Sequence, residues 1–140
     1  MPEAASLRVL TWWAGSIRCA TPSDRIREVL PCPAITPIPS GEPAVLGVAN
    51  IRGSLVTVVD GRRVIGQPDR EVAMELVLLE WDGQLVGLAV DRVEHLVTVR
   101  DAVGGRKDSA EGWTVDVGSG EQARVFDPDQ MLAPLFERRP

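Results

Sequence analysis

Residues 47–60, GVANIRGSLVTVVD, constrain the fold more than any other part of the sequence. Apolar runs rich in β-branched residues lie on either side of the pair Arg52-Gly53, and Asp60 ends the second run. Such runs predict a β-hairpin, because Gly53 can adopt the positive φ that a tight corner requires. Arg52 then lies at the bend, where it either pairs with a carboxylate or stands out as a recognition group.

Strand signals of the same kind recur along the chain and predict a mainly β protein of about eight or nine short strands. We expect hairpins over 7–20, 47–60, 73–90 and 113–126, with a further strand at 93–99. Short helical turns are expected at 25–30 and 61–68, and a terminal helix over 127–136 with Asp127 as its N-cap. These elements are joined by an extended Pro-rich connector over 31–43, docked by Ile35 and Ile38, and by a polar loop over 102–112.

Some of these strands are apolar on both faces. They lie within 55–59, 74–79 and 85–90. A strand in a sheet that is covered on one side only shows alternating polar and apolar residues. The doubly apolar strands therefore predict two small barrels packed against each other, exposed patches that bind partners, or both.

Charge and cysteine content narrow the possible functions. With 15 basic and 20 acidic residues the net charge is −5, and the charges are interspersed, which disfavours a nucleic-acid or anionic membrane surface. The first residues, MPEAASLRVL, do not resemble a signal peptide, and no apolar run approaches the length that spans a bilayer. Cys19 and Cys32 are too far apart for a metal-binding pair, so we expect free thiols, a cytoplasmic protein, and no metal or other cofactor.

Catalytic motifs are missing from the sequence. His95 is the only histidine, and its position within 93–99 favours a packed histidine over a catalytic base. Gly104-Gly105-Arg106-Lys107 lacks the strand and helix that frame a phosphate-binding loop. We therefore expect a binding module and no enzyme. Glu28 and Arg52 are its best candidate pair, because both flank apolar elements that should pack together.

Several stretches resemble the CheW-like chemotaxis coupling proteins and occur in the family's order. Residues 45–66, VLGVANIRGSLVTVVDGRRVIG, are similar to the family signature GVxNLRGxIxPVxDLRxxFG, and LVGLAVDRV at 85–93 is similar to VGLxVDxV. RIREVL at 25–30 resembles the family's V-x-E-I turn, 31–43 its Pro-rich connector, and 124–132 its closing strand and helix. The resemblance covers roughly residues 9–136.

This resemblance implies an all-β fold of two packed five-stranded, SH3-like β-barrels with short helical turns and a short C-terminal helix. The doubly apolar strands would then be covered on both sides. We expect a single domain over 7–136, in which one subdomain covers about 14–70, the other 7–13 and 71–126, and the helix 127–136.

The function implied by the resemblance is that of a non-catalytic adaptor in bacterial chemotaxis signalling. Such an adaptor couples the cytoplasmic tip of a chemoreceptor to the regulatory domain of a CheA-type histidine kinase, and self-association in arrays is a further possibility. The receptor tip is expected to bind at a groove between the subdomains, where Glu28 and Arg52 match the family's glutamate and arginine. The neighbours expected in this groove are Ile26, Val29, Val86 and Leu88. The residues expected to hold turns are Gly47, Gly53 and Asp60.

The chain departs from the family pattern at several positions. Thr57 stands where the family usually has proline, Gly61 where it usually has leucine, and the connector at 101–112 is short. A shorter connector makes the second barrel smaller, and this departure concerns kinase docking more than the fold. Two alternatives stay open: a diverged module of the same fold that serves another kinase pathway, and a barrel that binds a small molecule in a polar-lined cavity.

Overall fold

The computed structural model describes residues 6–39, 41–67, 75–100, 106–108, 112–118 and 120–136. Within these residues most of the chain is extended, as the sequence predicts. The strands are β1 Ser6–Ala14, β2 Ile17–Pro22, β3 Ile26–Pro31, β4 Val45–Ile51, β5 Ser54–Asp60, β6 Glu75–Trp81, β7 Gln84–Val90, β8 Arg92–Arg100, β9 Arg106–Asp108, β10 Gly112–Gly118 and β11 Glu121–Val125. The helices are α1 Gly61–Val64 and α2 Pro128–Phe136.

The strands form two sheets. One sheet has the order β8-β1-β2-β11-β10-β9, and the other has the order β3-β6-β7-β5-β4. The first sheet therefore uses both ends of the chain, and the second uses the middle. The expected subdomain boundaries divide the chain differently, since β2 pairs with β1 and the hairpin β6–β7 belongs with β3 to β5. The parallel pairing of β5 with β7 joins strands that are distant in sequence, and local patterns do not reveal such pairs.

Three apolar cores account for the strands that are apolar on both faces. The core between the sheets, called here the inter-sheet core, comprises Trp12, Ala14, Cys19, Val59, Ile65, Val77, Leu79, Trp81, Val86, Leu88, Val90, Phe126 and Leu132. The concave side of the five-stranded sheet holds Ala49, Ile51, Val56, Val58, Leu76, Leu78 and Ala89. The concave side of the six-stranded sheet holds Val9, Ala20, Val99, Val115 and Ala123.

Strand β6 shows how a continuous apolar run serves two of these cores. Val77 and Leu79 point to the inter-sheet core, and Leu76 and Leu78 point to the concave side. All four side chains are at most 1% exposed. Full burial of a side chain of this size stabilises the fold by about 1.5–3 kcal/mol. Packing of two curled sheets thus confirms the first explanation of the doubly apolar strands.

Two hairpins turn through the same kind of tight corner. Arg52 and Gly53 have φ of 52° and 91°, and Asp82 and Gly83 have φ of 54° and 78°. Positive φ at both central residues matches the twist of antiparallel strands, which is why such corners favour glycine, asparagine and aspartate. Both hairpins are confirmed, as is the one between β1 and β2.

The segment 25–30, predicted as a helical turn, is a strand instead. Only Ser23–Arg25 forms a 3-10 turn, and β3 pairs with β6. A register shift between Ile26 and Glu28 places Ile26 opposite Leu79 and Val29 opposite Val77, on one face of the sheet. This β-bulge sets two apolar residues three positions apart on the same face, a spacing that resembles the period of a helix.

The Pro-rich connector is extended, as predicted, and lies along β4. Thr36 and Val48 exchange two backbone hydrogen bonds of 2.7 and 2.9 Å. Ile35 packs against the concave side of the five-stranded sheet, but Ile38 is 39% exposed and does not dock the connector. The connector thereby covers part of the edge strand β4.

Helix α2 begins as the sequence predicts. The Asp127 carboxylate accepts a hydrogen bond from the Asp129 N–H at 2.9 Å, and Pro128 is the first helical residue. Arg25 donates to both carboxylate oxygens of Asp129 at 3.0 Å, and the Phe136 ring lies 5.4 Å from the Trp81 ring. The predicted polar loop at 102–112 lies largely outside the described residues, although Arg106–Asp108 pairs with β10 as a short strand.

Some side chains have environments that the sequence could not fix. His95 is exposed, so the prediction of a packed histidine is wrong; a β-bulge beside it turns its side chain outward. Cys19 is buried, which raises the pKa of its thiol to about 12.

Over the described residues, neither helix is long or apolar enough to cross a membrane.

Candidate functional site

Glu28 and Arg52 form the ion pair that the sequence suggested. Arg52 Nη1 lies 2.9 Å from Glu28 Oε1, and Nη2 lies 2.5 Å from Oε2, so the contact is bidentate. The fork of a guanidinium matches the two oxygens of a carboxylate, which makes this geometry specific as well as favourable. The pair is not buried, since 68% of the Arg52 side chain and 32% of the Glu28 side chain are exposed.

The pair connects the two edges of the five-stranded sheet. Glu28 lies on β3 and Arg52 follows β4, and these strands are at opposite ends of the sheet order. The contact between Thr36 and Val48 connects the same two edges through the connector. The curled sheet is therefore closed by a backbone bridge and by an exposed ion pair.

The pair changes the proton affinity of both partners. Hydrogen bonds from Arg52 hold the pKa of the Glu28 carboxyl below its ordinary value, against a smaller opposing effect of burial. The same contact raises the pKa of Arg52. Because the folded pKa of Glu28 is lowered, the contribution of the pair is present at neutral pH and is lost as the pH falls through that lowered pKa.

Arg52 has an unusual backbone conformation for its residue type. Its φ of 52° lies in the left-handed region, where a side chain other than that of glycine costs about 1–2 kcal/mol. Asn50 supports this corner, since its Oδ1 accepts a hydrogen bond from the Gly53 N–H at 2.8 Å. Backbone strain of this kind is frequently found at functional positions.

Exposed apolar side chains lie close to the pair along β3 and the β4–β5 hairpin. Val29, which follows Glu28, is 36% exposed, and Leu55, which lies opposite Asn50 in the hairpin, is 74% exposed. Along β5, Leu55 shares a face with Val59, which belongs to the inter-sheet core. We define the corner surface as Glu28, Val29, Arg52 and Leu55. At this surface the sheet face that carries Leu55 is exposed, whereas the same face is buried in the inter-sheet core at Val59.

The remaining predicted groove residues do not all reach the surface. Val86 is 2% exposed and Leu88 is 0% exposed, because both face the inter-sheet core. Their assignment to a partner-binding groove is wrong for that reason. Ile26 is half-buried against the same core. Asn50 and Leu55 were not identified from the sequence as members of the site. The available signals were an asparagine two positions before the hairpin corner and a leucine two positions after it.

The three residues expected to hold turns lie in different settings: Gly53 is in the β4–β5 corner, Asp60 precedes α1, and Gly47 is within β4 at a register shift and not in a turn. Gly47 has a φ of 151°, and a Cβ there would lie 2.0 Å from the Thr36 carbonyl oxygen. Gly53 has positive φ and open space around it. The carboxylate of Asp60 accepts a hydrogen bond from the Arg62 N–H at 3.0 Å and caps α1.

Other chemistry finds little support among the described residues. No group of three or more His, Cys, Asp or Glu side chains there is arranged to hold a metal ion. A surface cleft of about 310 Å³ is lined by Trp13, Arg18 and Arg124, among others. Its Arg18 guanidinium is already paired with Glu94 and Glu121. The buried side chains of the doubly apolar strands pack against one another in the apolar cores.

These observations define a class of protein: an all-β module of two sheets packed face to face, with a paired cation and carboxylate at an exposed hairpin corner. The chain belongs to the CheW-like domain family, whose family model matches residues 8–135.

Individual relatives agree with this assignment. The chain is 33% identical over 78 residues to a chemotaxis protein CheW of Rhizobium meliloti, covering 54% of this chain and 50% of that one. It is 30% identical over 69 residues to a chemotaxis protein CheW of Bacillus subtilis, covering 48% of this chain and 44% of that one. The matches therefore span about half the length of these curated relatives.

A solved structure confirms the fold. The crystal structure of the scaffolding protein TtCheW from Thermoanaerobacter tengcongensis matches with a TM-score of 0.81. The match covers 96% of this chain and 95% of that chain at 17% identity.

Proposed function

We propose that this protein is a non-catalytic, cytoplasmic adaptor that couples a chemoreceptor tip to a CheA-type histidine kinase in chemotaxis signalling. Membership in the CheW-like family supports an adaptor role. The corner surface is the proposed receptor site, and an apolar edge of one of the two sheets is the proposed site for the kinase regulatory domain. Two separate sites on one rigid body are what coupling requires.

The observation that carries this proposal is the exposed, bidentate pair of Glu28 and Arg52, with the exposed residues Val29 and Leu55 close to it along the same strands. An exposed ion pair contributes only about 0–1 kcal/mol to stability, so stability alone is a weak reason for its geometry. Charges that flank apolar side chains are well suited to fix the orientation of a partner. A helical receptor tip that presents both apolar and charged side chains matches this surface.

Charge reversal at the corner tests the receptor site. Arg52→Glu places two carboxylates together, and we expect it to weaken binding of a purified receptor-tip fragment by at least about tenfold, or about 1.4 kcal/mol. We expect the free energy of unfolding to change by about 1 kcal/mol or less, since the pair is exposed. Titration calorimetry and urea unfolding measure the two effects.

Arg92→Glu is a matched control for that substitution. Arg92 lies on the other sheet, is 59% exposed, and has Glu94 at 3.7 Å. We expect this variant to bind the receptor tip normally. An Arg52→Glu protein that unfolds, or that binds as well as the original, would remove Arg52 from the receptor site.

A second titration tests coupling to the kinase. Leu96 lies on β8, an edge strand of the six-stranded sheet, and is 50% exposed. We expect micromolar binding of a CheA-type regulatory domain, and we expect Leu96→Asp to abolish it while Arg52→Glu retains it. If Leu96→Asp leaves the affinity unchanged, docking through this apolar sheet edge is refuted. If no such kinase domain binds, a module of the same fold in another kinase pathway becomes the better explanation.

A further inference from the structure

The two tight hairpin corners differ in how they are supported. At the β6–β7 corner the first central residue is Asp82, a residue type that tolerates positive φ. At the β4–β5 corner the same place is taken by Arg52, which has almost the same φ but no such preference. This corner therefore needs support from elsewhere to keep its shape.

Equivalent positions in the two hairpins show where that support comes from. Asn50 and Glu80 each lie two residues before the corner, as the pairs Ile51–Ser54 and Trp81–Gln84 establish. Glu80 directs its carboxylate to Arg27 on β3. Asn50 instead directs its Oδ1 to the Gly53 N–H at 2.8 Å and so ties the corner to the end of β4.

The direction of the Arg52 side chain depends on this corner. The guanidinium meets both carboxylate oxygens of Glu28, which lies on the opposite edge strand of the sheet. A corner that relaxed to another turn type would rotate the Cα–Cβ bond of Arg52 and move the guanidinium away from β3. The bidentate contact tolerates little rotation, since both of its hydrogen bonds require alignment.

We infer that Asn50 is a positioning residue, which holds Arg52 in its left-handed conformation and thereby aims the guanidinium at Glu28 in the corner surface. Asn50 acts through the backbone of Gly53 and not through its own contact with a partner. The inference concerns the ion pair itself; its consequence for receptor binding rests on the function proposed above.

The titration of Glu28 measures the position of Arg52 without any partner. We expect Asn50→Ala to raise the pKa of Glu28 toward its ordinary value, as followed by the carboxyl carbon signal in NMR. Asn50→Ser keeps a shorter and weaker acceptor, so its Glu28 pKa should lie between those of the original protein and Asn50→Ala. Ser54→Ala, an exposed polar substitution on the other side of the corner, should leave the pKa of Glu28 unchanged. An unchanged pKa in Asn50→Ala overturns the inference.

Receptor binding supplies the second readout. We expect Asn50→Ala to weaken binding of the receptor tip by about three- to tenfold, as the loss of one hydrogen bond allows. In the Arg52→Ala background the same substitution should have no further effect, because a positioning residue acts only through Arg52. Additive losses would mean that Asn50 contacts the receptor directly and would overturn the inference. If no variant or original protein binds a receptor, the proposed function fails, while the Glu28 titration still decides the role of Asn50.

Discussion

Gly47→Ala is expected to destabilise the protein by about 3–5 kcal/mol, through backbone strain combined with overpacking. The added Cβ would lie 2.0 Å from the Thr36 carbonyl oxygen and 2.8 Å from the Pro37 Cα. These are backbone atoms, so no side-chain rotation relieves the contact. The connector must move away from β4, which breaks the hydrogen bonds between Thr36 and Val48.

Two other glycines separate the causes of this effect. Gly66 has a φ of 83° with no atom within 4 Å of an added Cβ, so Gly66→Ala should cost only the conformational strain, about 1 kcal/mol. Gly41 has open space and no positive φ, so Gly41→Ala should be neutral within about 0.5 kcal/mol. Urea unfolding of the three variants gives the comparison. A Gly47→Ala protein as stable as Gly66→Ala would show that the connector does not hold its place on β4.

Local sequence could predict the hairpin corners and the helix cap, because their conformations depend on interactions between residues that are close in the chain. The corner Asp82-Gly83 and the corner Arg52-Gly53 follow from the conformational freedom of glycine next to strand-forming runs. The cap of α2 follows from the side-chain acceptor of Asp127 and from the fixed φ of Pro128 at the first helical position. The doubly apolar runs correctly predicted strands that are covered on both faces, because apolar residue types on both faces are stable only when both faces are buried.

Pairings between distant segments could not be predicted in this way. The apolar spacing of β3 fits a helix as well as a bulged strand, and only its pairing with β6 decides between them. Val86 and Leu88 are apolar whether they line a groove or a core, and the second sheet decides that they are buried. The pairing of Glu28 with Arg52 was predictable from their apolar context and from the family resemblance, whereas the role of Asn50 depends on the geometry of the corner.

The structure explains why this chain has glycine at position 61. Gly61 occupies a position where the family usually has leucine. A Cβ at Gly61 would lie 3.2 Å from Cζ3 of Trp12 and 2.8 Å from the Ala89 carbonyl oxygen. Trp12 lies in the inter-sheet core and is the largest of the fully buried side chains among the described residues. Its ring fills the space that a larger residue at position 61 would need.

One polar contact between the two sheets is centred on Asp91. Arg62, in α1, donates to both of its carboxylate oxygens at 3.1 and 2.8 Å. The backbone N–H of Gly15, in the turn between β1 and β2, donates to the same carboxylate at 2.9 Å. Asp91 itself lies between β7 and β8, so this one side chain joins elements of both sheets.

Asp91→Ala is therefore expected to destabilise the protein by about 3 kcal/mol, since it removes the carboxylate that pairs with the Arg62 guanidinium and accepts the hydrogen bond from the Gly15 N–H. Only 15–16% of each side chain of the Asp91–Arg62 pair is exposed, so water replaces these bonds poorly. Asp91→Asn keeps an acceptor for Gly15 but not the charge, and its loss of stability should be smaller.

Glu80→Ala is the matched control, because it removes a carboxylate from an arginine pair whose side chains are 59% and 46% exposed. Its effect on the free energy of unfolding should be about 0–1 kcal/mol. Urea unfolding of all three variants measures these differences, provided that the slope of the transition stays constant. Equal losses of unfolding free energy in Asp91→Ala and Glu80→Ala would mean that apolar packing alone holds the two sheets together. Asp91 would then contribute no more to stability than an exposed acidic residue. A larger loss in Asp91→Ala would show that this carboxylate stabilises the packing of the two sheets, where its hydrogen bonds link α1, the β1–β2 turn and the segment between β7 and β8.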